Sequence, residues 1–230
     1  MYFRHAPDIW RDFPELVPGL LAADGITSQV SVELRIEPLY ETARQRLDGA
    51  TESELPEIQA WRRAFSRMGL KPTQYRCASE ALLRRFRKED DLPRLHPLID
   101  LCNAISLAFA IPIAVIDVAQ VSEGIEVRYA SGDERYLTFG GEIEQPSPGE
   151  VIFADATGEA HARRWTNRQS GHSAVSDATS SVLIVSEAMH TTARADVTRL
   201  IETVQAQIKD VWGGTYASTI LTPSTPEFRF

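Results

Sequence analysis

Between Ala162 and Thr179 the chain reads ARRWTNRQSGHSAVSDAT, its densest set of groups able to do chemistry. Arg163, Arg164 and Arg168 bring guanidinium donors, Asn167 and Gln169 bring amides, and Trp165 brings a large ring. Guanidinium forks and amides suit a carboxylate, a phosphate or a developing oxyanion, and an indole suits a flat partner. The composition is that of a binding site. Ser170, His172, Ser173 and Asp177 contain the members of a Ser-His-Asp set, but neighbourhood in sequence supplies no triad geometry. Arg163 and Arg164 are consecutive, so on a strand they face opposite sides. Only one of them shares a pocket with Asn167 and Arg168, and Arg164, nearer the loop, is the choice. Trp165 has two readings, a core residue after a strand or a stacking wall.

Other reaction classes lack their signatures. The sequence has no G-x-G-x-x-G, Walker loop, H-E-x-x-H, G-x-S-x-G or paired C-x-x-C. His5, His96, His161, His172 and His190 have no ligand-like spacing, so no metal and no cofactor is expected. Cys77 and Cys102 stand alone and read as buried free thiols.

The elements that must position the stretch change character along the chain. Residues 16–23 (LVPGLLAA) read as a short buried strand. Helical spacing runs through 38–47 and 56–68, then from the Ser79 cap to Phe86, and through the apolar run 98–110. In that last run Asp100, Asn103 and Ser106 fall along one side, suited to bracing the sheet or touching a ligand. After Ile111-Pro112 the segments 113–118, 125–129, 135–139, 150–154 and 182–187 are short and β-branched, as strands are. A helix follows over about 192–212, and 213–230, punctuated by Gly and Pro, reads as irregular, lying on the surface or draped over a partner chain. The expectation is a single α+β domain over 1–230, a mixed sheet with flanking helices.

With 230 residues and 43% hydrophobic content, the chain can bury a full core. No 18-residue apolar window and no signal-like opening occur, which predicts a soluble, cytoplasmic protein without a membrane partner. A net charge of −8 argues against nonspecific coating of nucleic acid, and no DNA partner is expected. From Arg62 to Arg94, however, ten cations accompany four acids. That block is either a set of solvated helix faces or a local polyanion contact.

Several ordered blocks bear a family resemblance. The runs PRLHPLIDLCNAISL, IPIAVID, GIEVRYA and GHSAVSDATSSVLIVSE resemble the B3/B4 editing domain of the bacterial phenylalanyl-tRNA synthetase beta subunit. With YRCASEALLRR and RRWTNRQ, the chain over about 72–190 looks more like freestanding relatives of that domain. The resemblance implies a compact α/β core whose synthetase version hydrolyses tyrosine wrongly esterified to the phenylalanine tRNA. It implies aminoacylated tRNA and its amino acid moiety as partners. The activity implied is a trans-editing deacylase, with a noncatalytic tRNA- or small-ligand-binding module as the alternative. Arg76, Glu80 and Asn103 are expected opposite the Arg164–Gln169 wall. Arg164 or Arg168 would hold phosphate or oxyanion, Asn167, Gln169 or His172 would position water, and Trp165 would flank the adenine or side chain. Two positions depart from the synthetase pattern: Ala114 replaces a histidine and Gly171 a glutamate, so a tyrosine-specific site does not carry over.

Overall fold

The computed structural model describes all 230 residues. The N-terminal half runs β1 (Tyr2–His5), α1 (Pro7–Asp12), β2 (Val17–Asp24), α2 (Glu33–Asp48), α3 (Pro56–Arg67), α4 (Ala78–Glu89) and α5 (Pro97–Phe109). The strand-rich half follows with β3 (Ile113–Asp117), β4 (Gly124–Tyr129), β5 (Tyr136–Leu137), β6 (Ile143–Glu144), β7 (Val151–Ala154), β8 (Ala160–Arg163), β9 (Arg168–Gln169) and β10 (Ser181–Ala188). α6 (Ala193–Val211), β11 (Tyr216–Ile220) and β12 (Glu227–Arg229) close the chain.

These elements form an α+β architecture with two main sheets. One has the order β12-β1-β4-β7-β8-β9, with β1 and β4 parallel and the other neighbours antiparallel. The second, β11-β2-β10-β3, is antiparallel throughout, and β5 and β6 make a separate hairpin. β10 is central and almost wholly buried, which is why its sequence is a continuous apolar run. α6 packs on β2 and β10, α5 on β3 and α6, and α3 reaches β10 through its apolar face of Ile58, Trp61 and Phe65.

The polar residues of α5 serve its ends. His96 Nδ1 accepts the Leu98 N–H at 3.2 Å, the Asp100 carboxylate accepts the Leu95 N–H at 2.8 Å, and Ser106 Oγ donates to the Ile111 carbonyl at 2.7 Å. These bonds satisfy groups that a buried helix end would otherwise strand.

Three expectations need correction. The 213–230 segment is not irregular: β11 covers the edge of β2, and β12 covers the edge of β1. Gly214, part of the punctuation that reads as irregular, marks a tight approach, because a Cβ there would lie 1.9 Å from the Asp24 carbonyl oxygen. The predicted strand 135–139 shrinks to Tyr136–Leu137, since Thr138 already accepts the Glu142 N–H within the hairpin turn. The helix predicted from Pro38 starts at Glu33 and carries Pro38 inside it.

Candidate functional site

β8 and β9 are joined by four residues, Arg164 to Asn167, and this turn is conformationally costly. Arg164 and Trp165 are both left-handed, with φ of 48° and 57°. Left-handed non-glycine residues cost roughly 1–2 kcal/mol each, so the surroundings must over-determine the turn. Glu150 accepts the Arg164 N–H at 3.0 Å, the Val151 carbonyl accepts the Trp165 N–H at 2.8 Å, and the Glu187 carboxylate accepts the Trp165 indole N–H at 2.8 Å. Glu150 is itself clamped by the buried Arg163 through two hydrogen bonds of 2.8 and 2.9 Å. Burial alone would raise the Glu150 carboxyl, but that clamp holds it below its ordinary value; Arg163 is raised by the same bonds.

The turn opens onto a cleft where β9, at the edge of one sheet, meets β3, at the edge of the other. Gln169 ties the two edges by donating its side-chain N–H to the Val115 carbonyl at 2.6 Å. Asn167 likewise donates to the Arg76 carbonyl at 2.7 Å. Because each NH2 group faces a carbonyl, the amide oxygens of both residues are left as acceptors without a partner in the chain. The cavity is about 60 Å³, lined by Ala114, Phe153, Ala162, Val185 and Trp165 with Thr166, Asn167, Arg168, Gln169 and Glu187. That volume admits a few waters or a small ligand group.

Glu187, which the sequence reading missed, is only 1% exposed yet lines this cleft. β10 places it two residues after Val185, on the same face. Its register partner on β2 is Pro18, and the pairing with β3 stops at Ser186–Ile113, just after Pro112. Proline has no N–H to give, so the Glu187 carbonyl instead accepts the Trp61 indole N–H at 3.2 Å. Its carboxylate takes Trp165 on one oxygen and His5 Nε2, at 2.6 Å, on the other. A glutamate inside the apolar run VLIVSEA was the available signal.

The remaining predicted residues have other surroundings. Trp165 is fully buried, edge-on to Trp61 and Phe13 with ring centroids 5.2 and 4.8 Å apart, and forms wall and core together. Arg168 contributes to the cleft lining, but its 42% exposed guanidinium lies on the opposite face of β9 from Gln169, 3.4 Å from Glu144 and 5.7 Å from the Tyr136 ring. Arg164 points elsewhere, over the Tyr75 ring at 4.9 Å. Glu80 is fully buried and bridges Arg62, at 2.5 Å, and Arg76, at 3.4 Å, which joins α3 to α4. Arg76 therefore meets the cleft only through its carbonyl, bonded to Asn167. Asn103 is half-buried on α5, and His172 stacks obliquely 5.9 Å from the His161 ring; neither lines the cleft.

Ser173 does meet a histidine, but a different one. Its Oγ lies 2.9 Å from His161 Nδ1, and Asp155 lies 3.4 Å from the other ring nitrogen. All three are buried, so no substrate reaches them. Burial lowers the His161 pKa, opposed by Asp155. Burial also pushes the free thiols of Cys77 and Cys102 up to about 11 and about 12, which leaves both unreactive.

Most of the basic block is neutralised. Arg62, Arg67, Arg76, Arg84, Arg85, Arg87 and Arg94 each pair with a carboxylate, which leaves Arg63, Lys71 and Lys88 without one. No helix is long and apolar enough to cross a membrane.

Comparison with known proteins identifies the lineage of this arrangement. The family model described as the B3/4 domain matches residues 60–205. The phenylalanine–tRNA ligase beta subunit of Shewanella oneidensis is 26% identical over 167 residues, covering 72% of this chain and 20% of that protein. The corresponding subunit of Haemophilus influenzae is 22% identical over 141 residues, 60% of this chain and 18% of the relative. The chain thus spans about a fifth of the length of these curated relatives. A crystal structure of an N-terminal fragment of the Pyrococcus horikoshii phenylalanyl-tRNA synthetase beta subunit superposes with a TM-score of 0.49 at 10% identity, over 95% of this chain and 53% of the fragment. The chain belongs to the B3/4 domain family.

Proposed function

We propose that this B3/4 domain protein binds the aminoacyl end of a tRNA in the β3–β9 cleft and hydrolyses the ester of a mischarged amino acid. The observation that carries the reading is the cleft itself. Residues 166–169, inside the segment matched to the family, line a small cavity with unpaired acceptors.

An aminoacyl ester is already activated, so the protein must mainly position water and stabilise developing negative charge. The amide oxygens of Asn167 and Gln169 are fixed by their anchored NH2 groups and accept hydrogen bonds from the attacking water. Arg168, exposed on the outer face of β9, neutralises charge on the terminal phosphate. Water oxygen bonds to the carbonyl carbon, the bond to the ribose oxygen breaks, and that oxygen leaves with a proton. The products are a free amino acid and an uncharged tRNA, and the neighbouring ribose hydroxyl assists. Ala114 lines the cleft, so the histidine of the synthetase pattern has no counterpart there.

A second reading, binding without hydrolysis, is favoured by the absence of His172 and of any serine from the lining. Release of free amino acid from a panel of mischarged tRNAs separates the two. Hydrolysis predicts release from at least one member and its loss in Asn167→Ala and Arg168→Ala; salt-sensitive binding with no release supports the second reading.

A further inference from the structure

We infer that the cleft recognises a primary ammonium group, the α-amino end of an aminoacyl ligand with a small side chain, and that Glu187 is its counter-charge. The inference deepens the aminoacyl reading above and rests on it.

A buried carboxylate is expensive unless it is paired, and Glu187 is held by two donors of different reach. The indole N–H of Trp165 can only donate, and it occupies one oxygen at 2.8 Å. His5 Nδ1 is buried without a partner, and Nε2 donates to the other carboxylate oxygen at 2.6 Å. Each carboxylate oxygen keeps an unused lone pair. These two donors fix the carboxylate's orientation and leave its remaining lone pairs open.

Close by, the Thr166 hydroxyl also lines the cleft, buried and with no hydrogen-bond partner. The inner lining is therefore an acceptor set: a carboxylate, a hydroxyl and the amide oxygens of Asn167 and Gln169. An ammonium group carries three donors and a positive charge, which matches that set; a phosphate or carboxylate does not.

The polarity along the cleft fixes the orientation. Glu187 is 1% exposed while the Arg168 side chain is 42% exposed. An aminoacyl ligand thus enters with its ammonium inward, toward Glu187, and its ester toward the solvent-exposed mouth of the cleft. With about 60 Å³ bounded by Phe153, Val185 and Ala114, side chains of alanine or serine size fit and an aromatic ring does not. His5 lies on β1, outside the family-matched segment, so the counter-charge is oriented by a residue that the matched region does not contain.

The test uses the whole chain and three small probes, alaninamide, lactamide and phenylalaninamide, by calorimetry or chemical-shift titration. Lactamide replaces the ammonium with a hydroxyl at nearly the same shape. The expected result is saturable alaninamide binding at least tenfold tighter than either other probe, with the preference over lactamide lost in Glu187→Gln. Gln keeps an oxygen for Trp165, and its NH2 donates to His5 Nε2 once the imidazole proton sits on Nδ1, so the variant is expected to fold. The wild-type probe comparison tests the inference even if it does not. Equal binding of alaninamide and lactamide, or of neither, overturns the inference whatever any tRNA assay returns. Alaninamide binding without release from any charged tRNA supports the inference and removes the hydrolytic reading alone.

Discussion

Replacing Trp165 with phenylalanine separates its two roles. A stacking wall tolerates Trp165→Phe, because a phenyl ring still offers a face. The structure instead makes the indole N–H the donor to a carboxylate that is 1% exposed. Losing a hydrogen bond to a buried charged group costs about 1.5–3 kcal/mol, and the smaller ring leaves a partial void against Phe13 and Trp61. The expected loss is about 2–3 kcal/mol, a fall in Tm of about 4–10 °C for a chain of this size. Urea unfolding of the wild type, Trp165→Phe, Glu187→Met, which removes the acceptor, and the double variant gives the assay. The coupling between Trp165 and Glu187 should lie between about 0.5 and 3 kcal/mol. A Trp165→Phe protein within about 0.5 kcal/mol of wild type, with no coupling to Glu187, would refute the structural role.

Enlarging Ala114 to leucine should fill the cavity and abolish alaninamide binding while Tm changes little, as titration and melting would record. Gly171→Glu, which restores the synthetase pattern, puts a Cβ 3.0 Å from the Thr138 carbonyl oxygen and should cost about 1–3 kcal/mol by denaturant unfolding. For acid stability the key group is Glu134. Burial acts to raise its pKa, but backbone N–H donors from Ser131 and Gly132 and the Arg128 guanidinium outweigh it and lower the value from 4.5 to about 2. A depressed folded-state pKa stabilises above the unfolded value, so this contribution should be present above pH 4.5 and disappear as pH falls toward 2. Melts across that window should show the wild type losing stability faster than Glu134→Gln.

The regular elements were legible because their signals are local. The face of Ile58, Trp61 and Phe65 in α3 and the apolar run of β10 follow from period and composition alone. The strands at the chain ends were not legible, since β11 and β12 exist through pairing with β2 and β1, more than 190 residues away in sequence. At the site, the Thr166–Gln169 wall was found from residue types. The facing carboxylate was not: Glu187 comes from a strand that reads as core and is oriented by a histidine at position 5. The resemblance implies Arg76 and Glu80 as site residues, yet here Glu80 spends its charge on Arg76 and on Arg62. Whether an arginine is free depends on which carboxylates fold against it, and sequence spacing does not record that.

The most direct test of the account is single-turnover release of free amino acid from tRNAs charged with a small, a β-branched and an aromatic amino acid. Hydrolysis at the β3–β9 cleft predicts release from a small-side-chain tRNA, and its loss in Asn167→Ala and in Glu187→Gln while both variants remain folded. No release from any tRNA in the panel, or release unaffected by both substitutions, would contradict it.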